Sequence, residues 1–420
     1  MAVTMGGASL ALAQSGARPE RPYRGLFGSG VGDAEQSLVG TANLGAGYDT
    51  NVLAAALGRQ RLLRPGDAGG LVQGSAGLNY TLARERYQLG GSAGTSARYY
   101  PNLSNSAFRT HNGSMGGRMR LLDRPAVTAD ATVRYQPFTF LGALGDTDTG
   151  GVGESALPDA GVVPTMEHYL TYQGGLGLSQ PLSRRVTFSS NYQYRYADRR
   201  DRGFSTQGVG AQLRVALSGV ANLMAGYRLN EGKYASGRTF RSHSPIIGID
   251  MAKALSLTRR TTASFGGGSS AIQSQGRSQI RATGNASLVH EIGRTWQVSS
   301  GYGRSFRFVE TFDEPIFSDA VNVVLSGLVS RRVQASVTAG ASKGQVGLTS
   351  QRSFTSISSS AGMSVALSRH ANLNLGYTQY RYTFDQDVLL PEGVLNEFGR
   401  HSVNASVGFW VPLATQRRRP

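Results

Sequence analysis

The chain has 420 residues, of which 56 are glycine and none is cysteine, and its formal net charge is +17. The absence of cysteine excludes disulfides, thiolate metal sites, covalently attached haem and cysteine nucleophiles, and it suits export through an oxidising compartment. After the first few positions no apolar run reaches the roughly 18 residues of a membrane-spanning helix, which excludes a helical membrane protein.

The first predicted element is an export signal. Residues 1–13 contain a short apolar stretch that ends in Ala11-Leu12-Ala13, a small-residue triplet typical of a signal-peptidase site. No Lys or Arg precedes this stretch, so we interpret it as a signal peptide whose start is truncated. A disordered N-terminus is the alternative. We expect residues 14–36 to form a periplasmic lead-in.

Eight tight turns follow along the chain. Nearly the same stretch occurs twice, as ALSGVANLMAGY from residue 216 and as ALSRHANLNLGY from residue 366, and shorter relatives lie elsewhere. In each, a few polar residues separate two segments of alternating polarity, as in a β-hairpin. The Ser, Arg and His of the second copy are therefore predicted to form a turn and not a catalytic group. The turns lie near Arg84, Arg124, Arg184, Gly219, Arg259, Gly293, Arg331 and Arg369.

The number of segments predicts a closed membrane barrel. Eight turns join sixteen strands, and one more strand at each end (residues 38–49 and 399–411) gives about 18, with 16 as the alternative. Short turns alternate with longer loops, whereas a propeller needs four short strands in each repeat. We predict an all-β fold: a transmembrane antiparallel up-and-down β-barrel at residues 37–413, with short periplasmic turns and longer extracellular loops. A basic periplasmic tail follows at residues 414–420.

Alternation within the segments assigns an apolar face to lipid and a polar face to the lumen. In residues 209–217, for example, Val209 and Leu213 face one way, whereas Gln212 and Arg214 face the other. Aromatic residues gather near the loop ends and near the turns, and we interpret both groups as interfacial girdles that contact lipid. The loop-end group is Tyr99, Tyr100, Phe138, Phe140, Tyr194, Tyr196, Phe306, Phe308, Tyr380, Tyr382 and Phe384.

The stretch LGAGYDTNVLAA from residue 44 resembles the opening of the β-barrel porin type 2 family, whose members begin with a Tyr-Asp-Ser/Asp-Asn-Val/Ile-Phe-like motif. Thr50 and Leu53 depart from that motif, and beyond it the resemblance rests on barrel patterning. The resemblance implies a Gram-negative outer-membrane barrel, in some members associated with exopolysaccharide or capsule export. It implies no catalytic residues.

Arginine and carboxylate side chains are distributed differently along the predicted strands. Of 26 Asp and Glu residues, only Asp130 and Asp250 fall clearly within a strand. Arginines, in contrast, lie on the polar face, and a lumen lined in this way favours anions. The alternative is that these arginines pair with loop carboxylates or brace the wall. The predicted pore-lining residues are Arg98, Arg118, Arg120, Arg134, Arg195, Arg214, Arg228, Arg281 and Arg307.

The longest connection, residues 141–164, is acidic. It either folds inward as a constriction loop opposite the arginines or lies on the surface; its carboxylates are Asp146, Asp148, Glu154 and Asp159. No further ligands follow at calcium-loop spacing, no histidines stand at metal spacing, and no nucleophile motif occurs. We therefore predict no metal, no cofactor and no enzymatic activity.

These observations predict a porin-like channel of the bacterial outer membrane that passes anionic solutes, with export of an acidic exopolysaccharide as the favoured transport. The alternative is a non-conducting scaffold barrel that anchors a surface or envelope assembly. Expected partners are outer-membrane lipid and lipopolysaccharide, the anionic solute or polysaccharide, and the barrel-insertion machinery. We expect no nucleic-acid partner, because Lys and Arg are spread over the whole chain without a recognisable binding module.

Overall fold

The chain forms one antiparallel sheet of 18 strands. A computed structural model describes residues 27–28, 34–50, 69–101, 107–121, 125–140, 162–199, 202–251, 260–274, 277–308, 314–347, 352–388 and 396–417. None of these residues belongs to a helix long and apolar enough to cross a membrane. The strands are β1 (Ala34–Asp49), β2 (Gly69–Ala83), β3 (Tyr87–Tyr99), β4 (Ala107–Arg120), β5 (Ala126–Phe140), β6 (Val162–Pro181), β7 (Val186–Arg199), β8 (Arg202–Ala216), β9 (Ala221–Lys233), β10 (Thr239–Met251), β11 (Thr261–Ser274), β12 (Arg277–Ile292), β13 (Trp296–Arg307), β14 (Ile316–Leu328), β15 (Val333–Val346), β16 (Ser353–Ala366), β17 (Ala371–Phe384) and β18 (Glu397–Arg417).

The sheet closes into a barrel. Every strand pairs with its neighbours in sequence, and β1 pairs with both β2 and β18, so no edge strand is left. Closure satisfies the backbone groups that an open sheet would leave unpaired in lipid. The predicted 18-stranded barrel is thus confirmed, and β1 and β18 extend slightly beyond the predicted limits, to Ala34 and Arg417.

Four of the turns share one hydrogen-bond pattern. The Ser218 hydroxyl accepts bonds from the N–H groups of Val220 and Ala221, each at 3.1 Å. Serine accepts in the same way at three further turns, at Ser183, Ser330 and Ser368. A serine hydroxyl that bonds its own chain two and three residues ahead favours a turn over a continuing strand. The repeated stretch therefore encodes a hairpin turn.

The predicted alternation of short turns with longer loops is wrong at three connections. β10 ends at Met251 and β11 begins at Thr261, so the turn near Arg259 is a longer connection. On the opposite side only residues 200–201 separate β7 from β8, and only residues 275–276 separate β11 from β12. At these two short hairpins the strands extend almost to the turn, so polar residues there belong to strands and not to loops.

The outer face carries an apolar band. Large apolar side chains at outward positions are exposed, including Leu44 (66%), Met115 (62%) and Ile280 (73%). In a barrel that spans a membrane, such a band contacts lipid tails. Asn372, Asn374 and Gly376 lie on the opposite, inner face, in register with Asn404 and other inward positions.

Candidate functional site: the barrel lumen

The inner face of the barrel follows from strand register, because residues paired across neighbouring strands face the same side. Through the middle of the wall this face consists mainly of Ser, Thr, Asn, Gln and Gly. Hydroxyl groups hydrogen-bond across strands, for example Ser92 with Ser114 and Ser264 with Ser287, each at 2.7 Å. The lumen is therefore polar where the outer face is apolar.

One side of the lumen is basic. All the predicted pore-lining arginines occupy inward positions by register, and those on neighbouring strands β3 to β9 form what we name the basic arc: Arg98, Arg118, Arg120, Arg134, Arg195, Arg214 and Arg228. Arg118 and Arg228 belong to one row of cross-strand partners, which runs through Thr128, Gly177, Asn191 and Gly210. Arg281 and Arg307 lie at the loop ends of β12 and β13.

Some inward arginines pair with carboxylates. Arg214 contacts Asp250 at 3.0 Å across β9, and Arg400 forms an ion pair with Asp49. The wall-bracing role left open by the sequence therefore applies to Arg214. The Asp49–Arg400 pair was missed, because its members lie at opposite ends of the chain and meet only when β1 joins β18. Asp49 lies in the stretch of β1 quoted above, and a carboxylate at this position in a strand is the signal that could have indicated the ion pair.

The opposite side of the lumen is neutral. Among the described residues, no charged side chain lies at an inward position of β14, β15, β16 or β17; we name this wall the neutral arc. Its hydroxyl and amide groups bond each other: Ser342 with Ser356 at 2.7 Å, and the Asn372 amide with Ser364 at 3.0 Å. In an 18-stranded barrel, β6 and β15 lie across the lumen from each other, so the neutral arc faces the basic arc.

The polarity of the two faces inverts toward the loop end. Along β17 the outward residues change from Leu375 and Tyr377 to Gln379 and Arg381, while the inward residues become aromatic. Tyr–His pairs mark the change on the outer face, as where the Tyr377 hydroxyl bonds His401 Nδ1 at 2.8 Å. Tyr227 and His243 form an equivalent pair at 2.6 Å. The strands therefore rise above the lipid, where water requires a polar outside.

Inside this raised part lies an apolar collar of inward-facing side chains at the loop ends of the strands. Tyr382, for example, is 1% exposed and stacks on Phe398 with ring centroids 5.4 Å apart. At its rim, Asp385 accepts bonds from the Ser353 N–H (3.0 Å) and hydroxyl (2.6 Å), which lower the pKa of the Asp385 carboxyl. The collar consists of Leu71, Phe204, Phe240, Ile272, Ile316, Val346, Phe354, Tyr380, Tyr382, Phe384 and Phe398.

The collar corrects the predicted loop-end girdle. Tyr99 and Tyr194 face outward and are about two-fifths to one-half exposed, as a girdle requires. Tyr380, Tyr382 and Phe384 face the lumen and are buried, so the prediction is wrong for them. The reason is the inversion of polarity: residues still alternate between the two faces, but near the loop end the apolar side chains face the lumen and the polar ones face outward.

The predicted constriction loop, with Asp146, Asp148, Glu154 and Asp159, lies outside the described residues, as does the predicted signal peptide. Within the described ranges no group of three His, Asp or Glu side chains is arranged to hold a metal ion.

A closed barrel with an even number of strands, an apolar outer band and a polar lumen has the architecture of bacterial outer-membrane barrels, since its outer surface needs lipid and its strands leave no edge. The chain is a Gram-negative outer-membrane β-barrel. No protein-family model matches it, and no curated protein matches it. The porin-like barrel is confirmed, whereas membership in the porin type 2 family stays a prediction.

Solved structures of outer-membrane proteins are similar to the chain at low identity. OpdQ of Pseudomonas aeruginosa is 9% identical, with 90% of this chain and 98% of that chain covered and a TM-score of 0.45. OccK8 (OprE) of the same organism is 8% identical, with 93% and 100% covered and a TM-score of 0.44. The FrpB iron transporter of Neisseria meningitidis (F5-1 variant) is 8% identical, with 89% and 82% covered and a TM-score of 0.47.

Proposed function

We propose that the barrel is a channel for anionic solutes, with an acidic polysaccharide as the favoured cargo. The observation that carries the proposal is the division of the lumen into a basic arc on β3 to β9 and a neutral arc on β14 to β17. Among the described residues, the carboxylates at inward positions outside the Asp49 and Asp250 pairs are few: Glu35, Asp130 and Glu291.

Each wall suits a different part of such a cargo. Guanidinium groups bind carboxylates through two parallel hydrogen bonds, and in a lumen with low-dielectric walls their field extends across the water. The hydroxyl and amide groups of the neutral arc can exchange hydrogen bonds with sugar hydroxyls without fixing a charge. The function is passage guided by charge and involves no covalent chemistry.

A second candidate function is a non-conducting scaffold barrel, and the apolar collar favours it. Buried aromatic side chains at the loop ends of so many strands give the raised part of the barrel a packed interior. If this interior never opens, the barrel serves to anchor other envelope components.

Reversal potentials in planar bilayers test the channel. With a KCl gradient across a bilayer that contains the wild-type protein, we expect the reversal potential to be shifted from zero toward the equilibrium potential of chloride. The double variant Arg118→Ala/Arg228→Ala removes both ends of one row of the basic arc and is expected to lower the chloride-to-potassium permeability ratio several-fold. Arg109→Ala is the matched control, because Arg109 lies on β4 but faces outward.

Potassium preference in the wild type, or an equal effect of the Arg109 and Arg118/Arg228 variants, would overturn the proposal of an anion channel. Absence of conductance in the wild type and in the opened variants described below would favour the scaffold.

A further inference from the structure

The barrel wall separates between β12 and β13 at the loop end. Their pairing stops at Gly284 and Arg304, although β12 begins seven positions earlier, at Arg277, and β13 continues to Arg307. β13 meanwhile keeps β14 as its partner up to the pair of Arg307 with Ile316. The upper part of the β13–β14 hairpin has therefore left β12 as a unit. We name residues 305–308 and 314–318 the hairpin tip.

The hairpin tip lies on the lumen side of β12. Arg281 faces inward, because it pairs with Ser270 on β11. Its Nη1 nevertheless donates to Gln345 Oε1 at 2.7 Å, and its Cζ lies 4.8 Å from the centre of the Phe317 ring. Phe317 and Gln345 pair with each other at outward positions of β14 and β15. An inward-facing side chain can meet outward-facing ones only if the tip has folded inside β12.

Burial supports the same placement. The consecutive residues Ile316, Phe317 and Ser318 face alternate sides of β14, yet they are 1%, 4% and 2% exposed. A strand in the barrel wall would expose one of its faces to lipid or water. The tip is thus covered on both faces.

The tip packs on the apolar side chains of the facing strands. Phe306 and Phe308 contact a cluster on β7, β8, β10, β11 and the connection after β9, which is formed by Ala197, Phe204, Tyr234, Phe240 and Ile272. A Cβ atom at Gly232 would lie 2.8 Å from the Phe308 ring, so glycine at this position of β9 makes room for the ring. The tip therefore reaches across several strands of the mouth.

Polar contacts fasten the tip at its end. Glu314 Oε1 accepts from Arg238 Nη1 at 3.0 Å, and Glu314 Oε2 accepts from Arg352 Nη1 at 3.4 Å. Arg238 follows β9 and Arg352 precedes β16, so the two arginines hold the tip from different loops. The Gly347 N–H also donates to the Pro315 carbonyl at 2.8 Å.

We propose that the hairpin tip is a gate of the lumen, and that Arg238 and Arg352 form a carboxylate-binding site, which Glu314 occupies in the closed state. A carboxylate of an anionic solute that takes the place of Glu314 on these arginines releases the tip. This last step rests on the proposed function, whereas the gate itself does not.

Channel recordings of Glu314→Gln test the closing contact. Loss of the charge-assisted bonds is expected to raise the open probability about tenfold while the reversal potential stays unchanged. Glu397→Gln is the matched control, because Glu397 pairs with Arg381 on the outer face, away from the tip. An unchanged open probability in Glu314→Gln would refute the closing role. Since opening and ion preference are read separately, failure of the gate and failure of the proposed function are distinguishable.

A disulfide tests the position of the tip. Phe308 Cγ lies 3.0 Å from a Cβ atom at position 232, so Gly232→Cys/Phe308→Cys brings two thiols within bonding range in a chain without cysteine. Oxidation is expected to abolish opening, and dithiothreitol to restore it. The control Ser92→Cys/Ser114→Cys joins two strands already paired in the wall and should leave opening unchanged. Free opening of the oxidised Gly232/Phe308 pair would contradict an inward gate.

Thiol labelling gives a readout that needs neither conductance nor a disulfide. In Phe308→Cys, a maleimide added from outside should react about tenfold faster when Glu314→Gln is also present, because the opened tip exposes the thiol. Equal rates would argue against the gate.

Trigalacturonate tests the carboxylate site. Added on the loop side, it is expected to raise the open probability of the wild type, whereas maltotriose is not, and Glu314→Gln should show no further rise. No response of the wild type to trigalacturonate would overturn the ligand step while leaving the gate supported by the other results.

Discussion

Asp49 and Arg400 join the first strand to the last through an ion pair that is 0% and 6% exposed. Next to it the Thr50 N–H donates to the His401 carbonyl, and the His401 N–H donates to the Thr50 hydroxyl, both at 2.9 Å. Two charges removed from water are tolerated only when each satisfies the other. The pair therefore fixes which strand ends meet at the seam of the barrel.

Removing one charge of this pair should destabilise the barrel strongly. Asp49→Asn leaves the Arg400 guanidinium buried without its countercharge, at an expected cost of about 3–5 kcal/mol in free energy of unfolding. The measurement is urea unfolding of the protein in lipid vesicles, followed by tryptophan fluorescence. Glu397→Gln breaks an exposed pair and should cost at most about 1 kcal/mol. Equal losses in the two variants would show that the seam pair has no special role.

The sequence allowed the side of each arginine to be predicted but not its partner. Alternation in a strand is local, so Arg118 and Arg195 could be assigned to the inner face from their immediate neighbours. Asp49 and Arg400 are 351 positions apart, and their contact depends on closure of the sheet. The ion pairs of Glu314 could not be predicted for the same reason, because its two arginines come from other loops.

At the scale of strands, the alternation of polarity could be predicted for most segments, but not which of the two faces is apolar at a given height of the barrel. In β17 the residues up to Tyr377 obey the rule that apolar side chains face lipid, and those beyond it obey the opposite rule. The position along a strand at which lipid gives way to water is not visible in the sequence. Only the Tyr–His pairs indicate it, and these can be recognised only when the strand register is known. The separation of β12 from β13 is likewise invisible, since both strands keep their alternation through it.

Close backbone approach between β10 and β11 provides a test at this scale. A Cβ atom at Gly268 would overlap the Pro245 carbonyl oxygen, a backbone atom that cannot move aside cheaply. Gly268→Ala should therefore destabilise the barrel by about 1–3 kcal/mol, measured as the shift in the urea midpoint of unfolding. Gly219→Ala is the control, since a Cβ atom there meets nothing within 4 Å. Similar midpoints for the two variants would contradict the close approach.

For the whole molecule, position explains the net charge of +17. One share of the arginines lines the basic arc, and another lies in the exposed turns, as at Arg184, Arg331 and Arg369. The turn arginines are expected to contact anionic headgroups, while those of the arc act on solutes in the lumen. The strand count and closure could be predicted because most of the hairpins on one side of the barrel carry their own turn signal. The collar and the gate could not, because they arise from the mouth as a whole.

The central claim is that the basic arc takes up acidic polymers, and block of the chloride current tests it most directly. An oligogalacturonate added on the turn side should interrupt the current through wild-type channels. The block should be deeper at voltages that drive the oligogalacturonate into the lumen. It should be much weaker in Arg118→Ala/Arg228→Ala. A maltodextrin of the same length should leave the current unchanged. Equal block by both oligomers, or block by the oligogalacturonate that does not depend on the arginines, would contradict the claim.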